Sequence, residues 1–118
     1  MPSEERTVWY FYKVRWGHQE EFVDLFRRNH YPVLEAQIGE RFSSVRTYEP
    51  RYHGDGRADW TFAVAITYVS LAAMMSPSKE ADIARAMFPD QKKFKEEEQR
   101  RFSLLDAHWD VPLKEIDM

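Results

Sequence analysis

The chain has 118 residues, no cysteine and a formal net charge of -3 at pH 7. Disulfides, thiolate metal sites and a cysteine nucleophile are therefore excluded, and the composition favours a reducing compartment, so we expect a cytoplasmic protein. The weakly acidic balance gives no electrostatic basis for binding nucleic acid or an anionic membrane surface.

A first strand is predicted at Val8–Trp16, a segment rich in β-branched and aromatic residues. Alternate positions from Val8 share one face, whereas Trp9 and Phe11 lie on the other. A strand that is apolar on both faces must be covered on both faces. Aromatic residues make up 15% of the chain, which indicates an aromatic-lined cavity or a large interface in addition to a core.

The first helix is predicted to follow this strand. The acidic turn Gln19–Glu21 suits the positive end of a helix dipole, and apolar residues then recur at helical spacing from Phe22 to Phe26. Pro32 lacks an N–H group and crowds the preceding turn, so the helix should bend near it. Gly39 is well placed to end the helix.

Two more strands are predicted at Phe42–Tyr52 and Asp59–Val69, joined by a turn at 53–57 that is rich in Gly and Asp. The second of them alternates large side chains, from Trp60 to Tyr68, with small ones. A face of small residues indicates that something packs closely against it or that a space is left open there.

Further helices are predicted at Leu71–Met75, in a piece that ends at Phe88, and in a long segment with Asp90 as its N-cap. The long helix is highly charged, which predicts a solvent-facing side with the ion pairs Glu96–Arg100 and Glu97–Arg101.

A last strand is predicted at Val111–Met118, with Pro112 at its start or on a sheet edge. The element order is then β-α-β-β-α-(α)-β, which is the split βαβ pattern of the ferredoxin-like fold. We therefore expect one α+β domain spanning residues 1–118, with a four-stranded antiparallel sheet.

The segment Glu21–Pro32 is similar to the pattern of EthD-like proteins, which have a Phe, a later aromatic on the first helix and then His-x-Pro. The matching residues are Phe22, Phe26, His30 and Pro32. The chain resembles the dimeric α/β-barrel superfamily in this segment and in the order of its elements over nearly the whole length. That group includes antibiotic-biosynthesis monooxygenases, EthD-like proteins, muconolactone isomerase-type enzymes and stress-responsive barrel proteins.

The resemblance implies that two protomers pack their sheets face to face, and that each cavity lies between a sheet and its own helices. The apolar second face of Val8–Trp16 gives an independent reason to expect a homodimer, because an uncovered face of that size invites aggregation. The paired catalytic residues of the heme-degrading members are not found in this sequence, so no heme is expected.

His30 is the first candidate for catalysis, because histidine titrates near neutral pH and Pro32 would fix the chain beside it. The alternative is a histidine that satisfies a free carbonyl at a helix end. Asn29 and Tyr31 are candidates for assisting hydrogen bonds, although Tyr31 could equally be packed. Four strand aromatics could stack on a flat apolar substrate or simply form the core: Tyr12, Trp16, Tyr48 and Trp60.

The other histidines give weaker signals. His108 and Asp110 offer two metal ligands without a third, so they are interpreted as part of the junction between the long helix and the last strand. His53, Arg51 and Arg57 surround the predicted hairpin turn and could meet an anionic substrate or be exposed. No metal is expected, and no nucleotide or serine-hydrolase motif is present.

Two functions from different classes remain. The first is a small cofactor-independent enzyme that oxygenates, cyclises or isomerises a small hydrophobic or aromatic molecule. The second is a non-catalytic dimeric barrel protein that binds a small ligand or serves a stress-related role. Neither needs a membrane, and the apolar stretch Trp60–Met75 is too short and too interrupted to span one.

Overall fold

The computed structural model describes residues 4–51 and 59–118. Four strands and five α-helices occur in these ranges, with one π-helical turn, Phe26–His30, between α1 and α2. The elements are β1 Arg6–Val14, α1 Gln19–Leu25, α2 Tyr31–Glu35, β2 Phe42–Tyr48, β3 Phe62–Tyr68, α3 Leu71–Met75, α4 Glu80–Met87, α5 Gln91–Ser103 and β4 Leu105–Pro112.

The four strands form one sheet in the order β2-β3-β1-β4. Every neighbouring pair is antiparallel. The first strand lies in the middle of the sheet and pairs with both β3 and β4. This arrangement is the split βαβ topology that the element order predicts.

The helices cover one face of the sheet, and the core lies between the helices and that face. Phe22 is 0% exposed and packs its ring 5.4 Å from Tyr12 and 5.6 Å from Phe62. The strands contribute alternate residues to this core, as period-two geometry requires. The core side chains of the two central strands are Val8, Tyr12, Val14, Phe62, Val64, Ile66 and Tyr68.

The opposite face of the sheet is aromatic, and no helix formed by residues 4–51 and 59–118 covers it. Trp9 pairs with Ala65 of β3, and Phe11 pairs with Ala63. The small β3 side chains therefore make room for the large rings of β1, which explains the alternation seen in the sequence. Five rings are linked by centroid distances of 5.1 to 5.9 Å, and we call them the aromatic face: Trp9, Phe11, Tyr48, Trp60 and Trp109.

The overall shape reflects this one-sided covering. The molecule measures 43 × 42 × 18 Å, and its radius of gyration is 15.4 Å. A compact globule of this length would have a radius of gyration of about 13.5 Å. The chain is therefore a plate of one sheet and one helical layer, and the aromatic face forms one of its two broad surfaces.

The last strand was predicted at Val111–Met118, and that position is wrong. β4 runs over Leu105–Pro112 and starts directly after α5. Its pairing with β1 places His108 opposite Tyr12 and Asp110 opposite Tyr10. His108 is consequently a strand residue and not part of a helix–strand junction, because tertiary pairing with β1 outweighs the weak strand signal of LDAHWDVP.

The ion pairs expected along α5 are also wrong. Glu97 pairs with Arg28 of the π-helical turn, and Arg100 pairs with Glu21 of α1. α1, the π-helical turn and α2 are contiguous, and we call them the first helical segment. The charged residues of α5 hold this segment in place, instead of pairing with one another at i,i+4. The predicted turn at 53–57, with His53 and Arg57, lies outside the described residues.

Among the described residues, no helix is both long enough and apolar enough to cross a membrane.

Truncating Phe22 tests the core directly. We expect Phe22→Ala to lower the free energy of unfolding by about 3–5 kcal/mol, because a buried ring is lost from a closely packed site. Urea unfolding followed by circular dichroism measures the change. Met75→Ala is the control, since Met75 is 73% exposed, and it should stay within about 0.5 kcal/mol of the wild type. Equal stability of the two variants would contradict the assignment of the core.

Candidate functional site

A π-helical turn positions the first candidate residue. In Phe26–His30 the backbone N–H of Tyr31 donates to the carbonyl oxygen of Phe26, five residues earlier. Pro32 cannot donate to the carbonyl of Arg28, so the local hydrogen-bond pattern shifts. The helical path continues into α2 with Pro32 in its first turn. Single π-helical turns of this kind are frequent at functional sites.

The side chain of His30 lies between the first helical segment and α5. It is 22% exposed, and its ring stands edge-on to Phe26 at a centroid distance of 5.3 Å. Its Nδ1 atom is 3.7 Å from Oε2 of Glu98 on α5, which is too long for a hydrogen bond. The imidazole therefore faces the interior of the helical layer without a fixed partner on Glu98.

The centre of this region is a buried ion pair on α5. Arg101 is 1% exposed, although it is charged. Its Nε atom donates to Oε1 of Glu98 at 3.0 Å, and Nη2 donates to Oε2 at 2.8 Å. This two-point contact uses both oxygens of the carboxylate. The third nitrogen, Nη1, is buried and has no hydrogen-bond partner.

Strands β1 and β4 supply the floor of the site. The ring of His108 stacks on Tyr12 at a centroid distance of 4.2 Å and an angle of 10°. Its Nδ1 lies 2.8 Å from the carbonyl oxygen of Phe11, which requires the proton of the neutral ring to be on Nδ1. Burial raises the pKa of Tyr12, the charge of Arg101 and its side-chain contact with the phenol oppose this rise, and the pKa is about 12.

The electrostatics keep His30 neutral. Burial lowers its pKa to about 3, and electrostatic interactions with Arg101 and His108 act in the same direction. Beside this cluster, burial raises the pKa of the Glu80 carboxyl on α4. At pH 7 the site therefore combines a neutral imidazole, a neutral phenol and a guanidinium that is paired with one carboxylate. We call His30, Glu98, Arg101, His108 and Tyr12 the polar cluster.

The two neighbours of His30 have different surroundings. Asn29 is 3% exposed, and its side-chain amide donates to Oε1 of Glu97 at 3.2 Å. The other oxygen of Glu97 accepts from Arg28 at 2.9 Å, so Asn29 belongs to a link between two helices. Tyr31 is partly buried and packs against the core. Neither side chain makes a hydrogen bond to His30.

The four aromatic substrate-binding candidates are divided between the two faces of the sheet. Tyr12 alone of the four belongs to the polar cluster. Tyr48 lies on the aromatic face, 5.1 Å from Trp9, and Trp60 lies there too, 5.4 Å from Phe11. Trp16 follows β1 and is 88% exposed, so it does not line an enclosed site within a single chain.

The position of Trp60 corrects the sequence interpretation, which placed it on the same face as Phe62. β3 begins at Phe62, and the N–H of Thr61 donates to the carbonyl oxygen of Tyr12. Residue 60 precedes the regular strand, so the alternation of side chains does not extend to it.

Two surface clefts lie elsewhere. One, of about 230 Å³, is bordered by Arg41, Ser76 and Lys79. Another, of about 480 Å³, is bordered by Thr7, Thr67 and Leu113. His30 lines neither of them. Within residues 4–51 and 59–118, no group of three or more His, Cys, Asp or Glu side chains is arranged to hold a metal ion.

Comparison with known proteins identifies the architecture. No protein-family model matches the chain, and no curated protein matches it significantly. Solved structures do match: a NIPSNAP family protein from Agrobacterium tumefaciens has a TM-score of 0.62 at 14% identity, over 99% of this chain and 90% of that one. This chain has the ferredoxin-like fold.

Two further structures match the ferredoxin-like chain over almost its full length. SnoaB, a cofactor-independent oxygenase from Streptomyces nogalater, has a TM-score of 0.60 at 15% identity, over 98% of this chain and 97% of that one. A dimeric ferredoxin-like protein of unknown function from Jannaschia sp. has a TM-score of 0.56 at 12% identity, over 93% and 98% of the two chains. At these identities the likeness establishes the fold.

The sequence did not point to Arg101 or Glu98 as members of a site, and His108 was interpreted as part of a helix–strand junction. The charged run that contains Arg101 and Glu98 is typical of a solvated helix face. One available signal was Phe102, which follows Arg101 and interrupts the charged pattern. Only the packing of α5 against α1 and the π-helical turn shows that the guanidinium is inside.

The low pKa of His30 predicts a specific pH dependence of stability. The unfolded chain takes up a proton on His30 near pH 6.5, whereas the folded chain does so near pH 3. Between these values the unfolded state binds more protons, so stability falls as the pH falls. The loss due to this group is at most about 1.4 kcal/mol per pH unit, and His30→Gln should remove it.

Urea unfolding at pH 7, 6 and 5 measures the dependence in both proteins. His18→Gln is the control, because the side chain of His18 is 42% exposed at the start of α1, and this variant should follow the wild type. If His30→Gln loses stability as steeply as the wild type over this range, His30 is not held neutral by its surroundings.

Proposed function

We propose that this protein is an enzyme that acts without a cofactor on a small hydrophobic or aromatic molecule, held between the sheet and its helices. The observation that carries the proposal is the polar cluster, in which His30 lies beside a buried Arg101 among aromatic rings. Such a group is costly to bury, and a binding or catalytic role gives a reason for its presence. SnoaB, described as a cofactor-independent oxygenase, provides a precedent on the same fold.

His30 takes the central chemical role in this proposal. Its neutral imidazole can donate one hydrogen bond and accept another. With a pKa of about 3, it is a weak base in the empty site, and a full proton transfer needs a compensating negative charge nearby. Oxygenation, cyclisation and isomerisation of an aromatic or polyketide-like substrate can each begin with removal of a proton from the substrate by a general base.

A second candidate function is a non-catalytic dimer that binds a small ligand or serves a stress-related role. The same pKa favours it, since an efficient general base titrates near the working pH. In that case His30 would only orient the ligand.

The proposal includes a homodimer that buries the aromatic face, with two sheets packed face to face. Trp109 and Tyr48 are 38% and 40% exposed on this surface, and their rings are continuous with those of β1. A contiguous apolar surface of this kind is typical of an interface. One structural neighbour is described as dimeric, and no helix in the described part of the chain covers the face.

A charge on the aromatic face should separate the protomers. We expect Trp9→Glu to convert the protein from a dimer near twice 14.2 kDa to a monomer of 14.2 kDa, because a carboxylate would have to lose its hydration in the interface. Sedimentation velocity at micromolar concentration measures the mass.

Met75→Glu is the matched control, since Met75 is an exposed apolar residue of α3 and lies off the aromatic face. It should remain a dimer. A wild-type protein that sediments as a monomer would contradict the interface.

Replacing His30 separates the two functions. A thermal-shift screen of aromatic and polyketide-like compounds supplies ligands, and mass spectrometry after incubation detects products. We expect His30→Gln to keep the fold and the dimer at pH 7 but to abolish turnover. Loss of a single hydrogen bond would weaken ligand binding by about 1–3 kcal/mol.

His18→Gln should retain full turnover in the same assay. If His30→Gln turns over every substrate as fast as the wild type does, the enzymatic role of His30 is wrong. Ligand binding without any product in the wild type would favour the non-catalytic function.

A further inference from the structure

We propose that Arg101 binds the anionic oxygen of an ionised phenol or enol on the aromatic substrate. This inference rests on the proposed function, because it places the ligand in the polar cluster and specifies its chemical class.

The guanidinium of Arg101 has one nitrogen without a hydrogen-bond partner. Nε and Nη2 of Arg101 are both committed to Glu98, whereas Nη1 has no hydrogen-bond partner and is buried. A buried donor without a partner loses its hydration and gains nothing in return. An acceptor that arrives with the ligand would remove this cost.

Three aromatic rings surround the guanidinium of Arg101. The Cζ atom of Arg101 lies 5.6 Å from the ring centroids of both Phe22 and Phe26 and 4.6 Å from that of Phe102. These rings stabilise the cation but offer no oxygen acceptor. Phe102 is 53% exposed, so it is also a suitable partner for an aromatic ligand, whose ring can pack against it edge-on or with an offset.

The free donor also limits the kind of anion. A carboxylate is best bound by two parallel N–H groups of one guanidinium, and Glu98 already occupies that position on Arg101. A single remaining nitrogen suits one oxygen atom. Because Glu98 balances the charge of Arg101, a delocalised anion such as a phenolate or enolate fits better than a second compact carboxylate.

His30 completes the arrangement as the proton acceptor. The O–H bond of the phenol or enol breaks, the proton forms an N–H bond on the imidazole, and the electron pair stays on the oxygen beside Arg101. No other reactant is needed for this step. The negative charge on the ligand then offsets the positive charge that disfavours protonation of His30.

The probe is 4-nitrophenol, whose phenolate absorbs visible light, with 4-nitroanisole as the neutral analogue that lacks the acidic proton. We expect the wild-type protein to bind the phenolate about tenfold more tightly than the phenol, which lowers the apparent pKa of the bound probe by about one unit. The carboxylates of Glu98 and Glu80 oppose this shift and Arg101 favours it, so its sign reports which charge faces the ligand.

A second measurement locates the probe without any substitution. Binding of the phenolate should raise the pKa of His30, followed by NMR of its imidazole protons, whereas 4-nitroanisole should leave that pKa unchanged. A bound phenol that titrates at or above its value in water contradicts the proposal. So does a phenolate that leaves His30 unaffected, or a failure of the phenolate to bind at millimolar concentration.

Variants test the residue itself. Arg101→Gln should lose the shift of the probe, and Arg100→Gln, which changes the neighbouring exposed residue, should keep it. If Arg101→Gln does not fold, the two wild-type measurements decide the question. If the pKa of the bound probe is lowered but no substrate is turned over, the anion site is supported and the enzymatic function is wrong. If turnover depends on His30 but the pKa of the probe is unchanged, the enzymatic function is supported and the anion site is wrong.

Discussion

The buried ion pair between Arg101 and Glu98 is the interaction on which the site depends. It places a positive charge at a position that is 1% exposed, between α5, the first helical segment and the floor of the sheet. A buried ion pair of this kind adds little net stability, because both ions lose their hydration. Its effect here is electrostatic: it helps to keep His30 neutral and lowers the pKa of Tyr12 against the effect of burial.

The two faces of the sheet have different tasks in this account. The face covered by helices contains the polar cluster, where a ligand would be shielded from water and electrostatic interactions are strong. The other face carries five aromatic rings, which suits association with a second copy. Since β1 lies in the centre and contributes to both faces, Tyr12 and its neighbour Phe11 connect the site to the interface within one strand.

Much of the fold could be predicted from the sequence, because it depends on local patterns. The two-sided apolar strand of β1 predicted a second covering layer, and the alternation of large and small residues in β3 matches its pairing with Trp9 and Phe11. Asp90 was predicted as the N-cap of α5, and its side chain accepts from the N–H of Lys93. The limits of β4 depend on pairing with a distant strand and were therefore misplaced.

The site was less predictable, because burial of a charged residue is a tertiary property. His30 could be singled out by its chemistry and by Pro32, but Arg101 has the surroundings in sequence of a solvated residue. Trp60 was assigned to the wrong face because strand alternation was extended two residues beyond the start of β3. In both cases local periodicity was used where the packing of separate segments decides.

A crystal structure of the protein with 4-nitrophenol, at a pH where the probe is ionised, tests the central claim most directly. The account predicts the phenolate oxygen about 2.7–2.9 Å from Nη1 of Arg101, as for a charge-assisted hydrogen bond, with the ring against Phe102 and close to His30. A probe that binds only on the aromatic face, with Nη1 still unpaired, would contradict it.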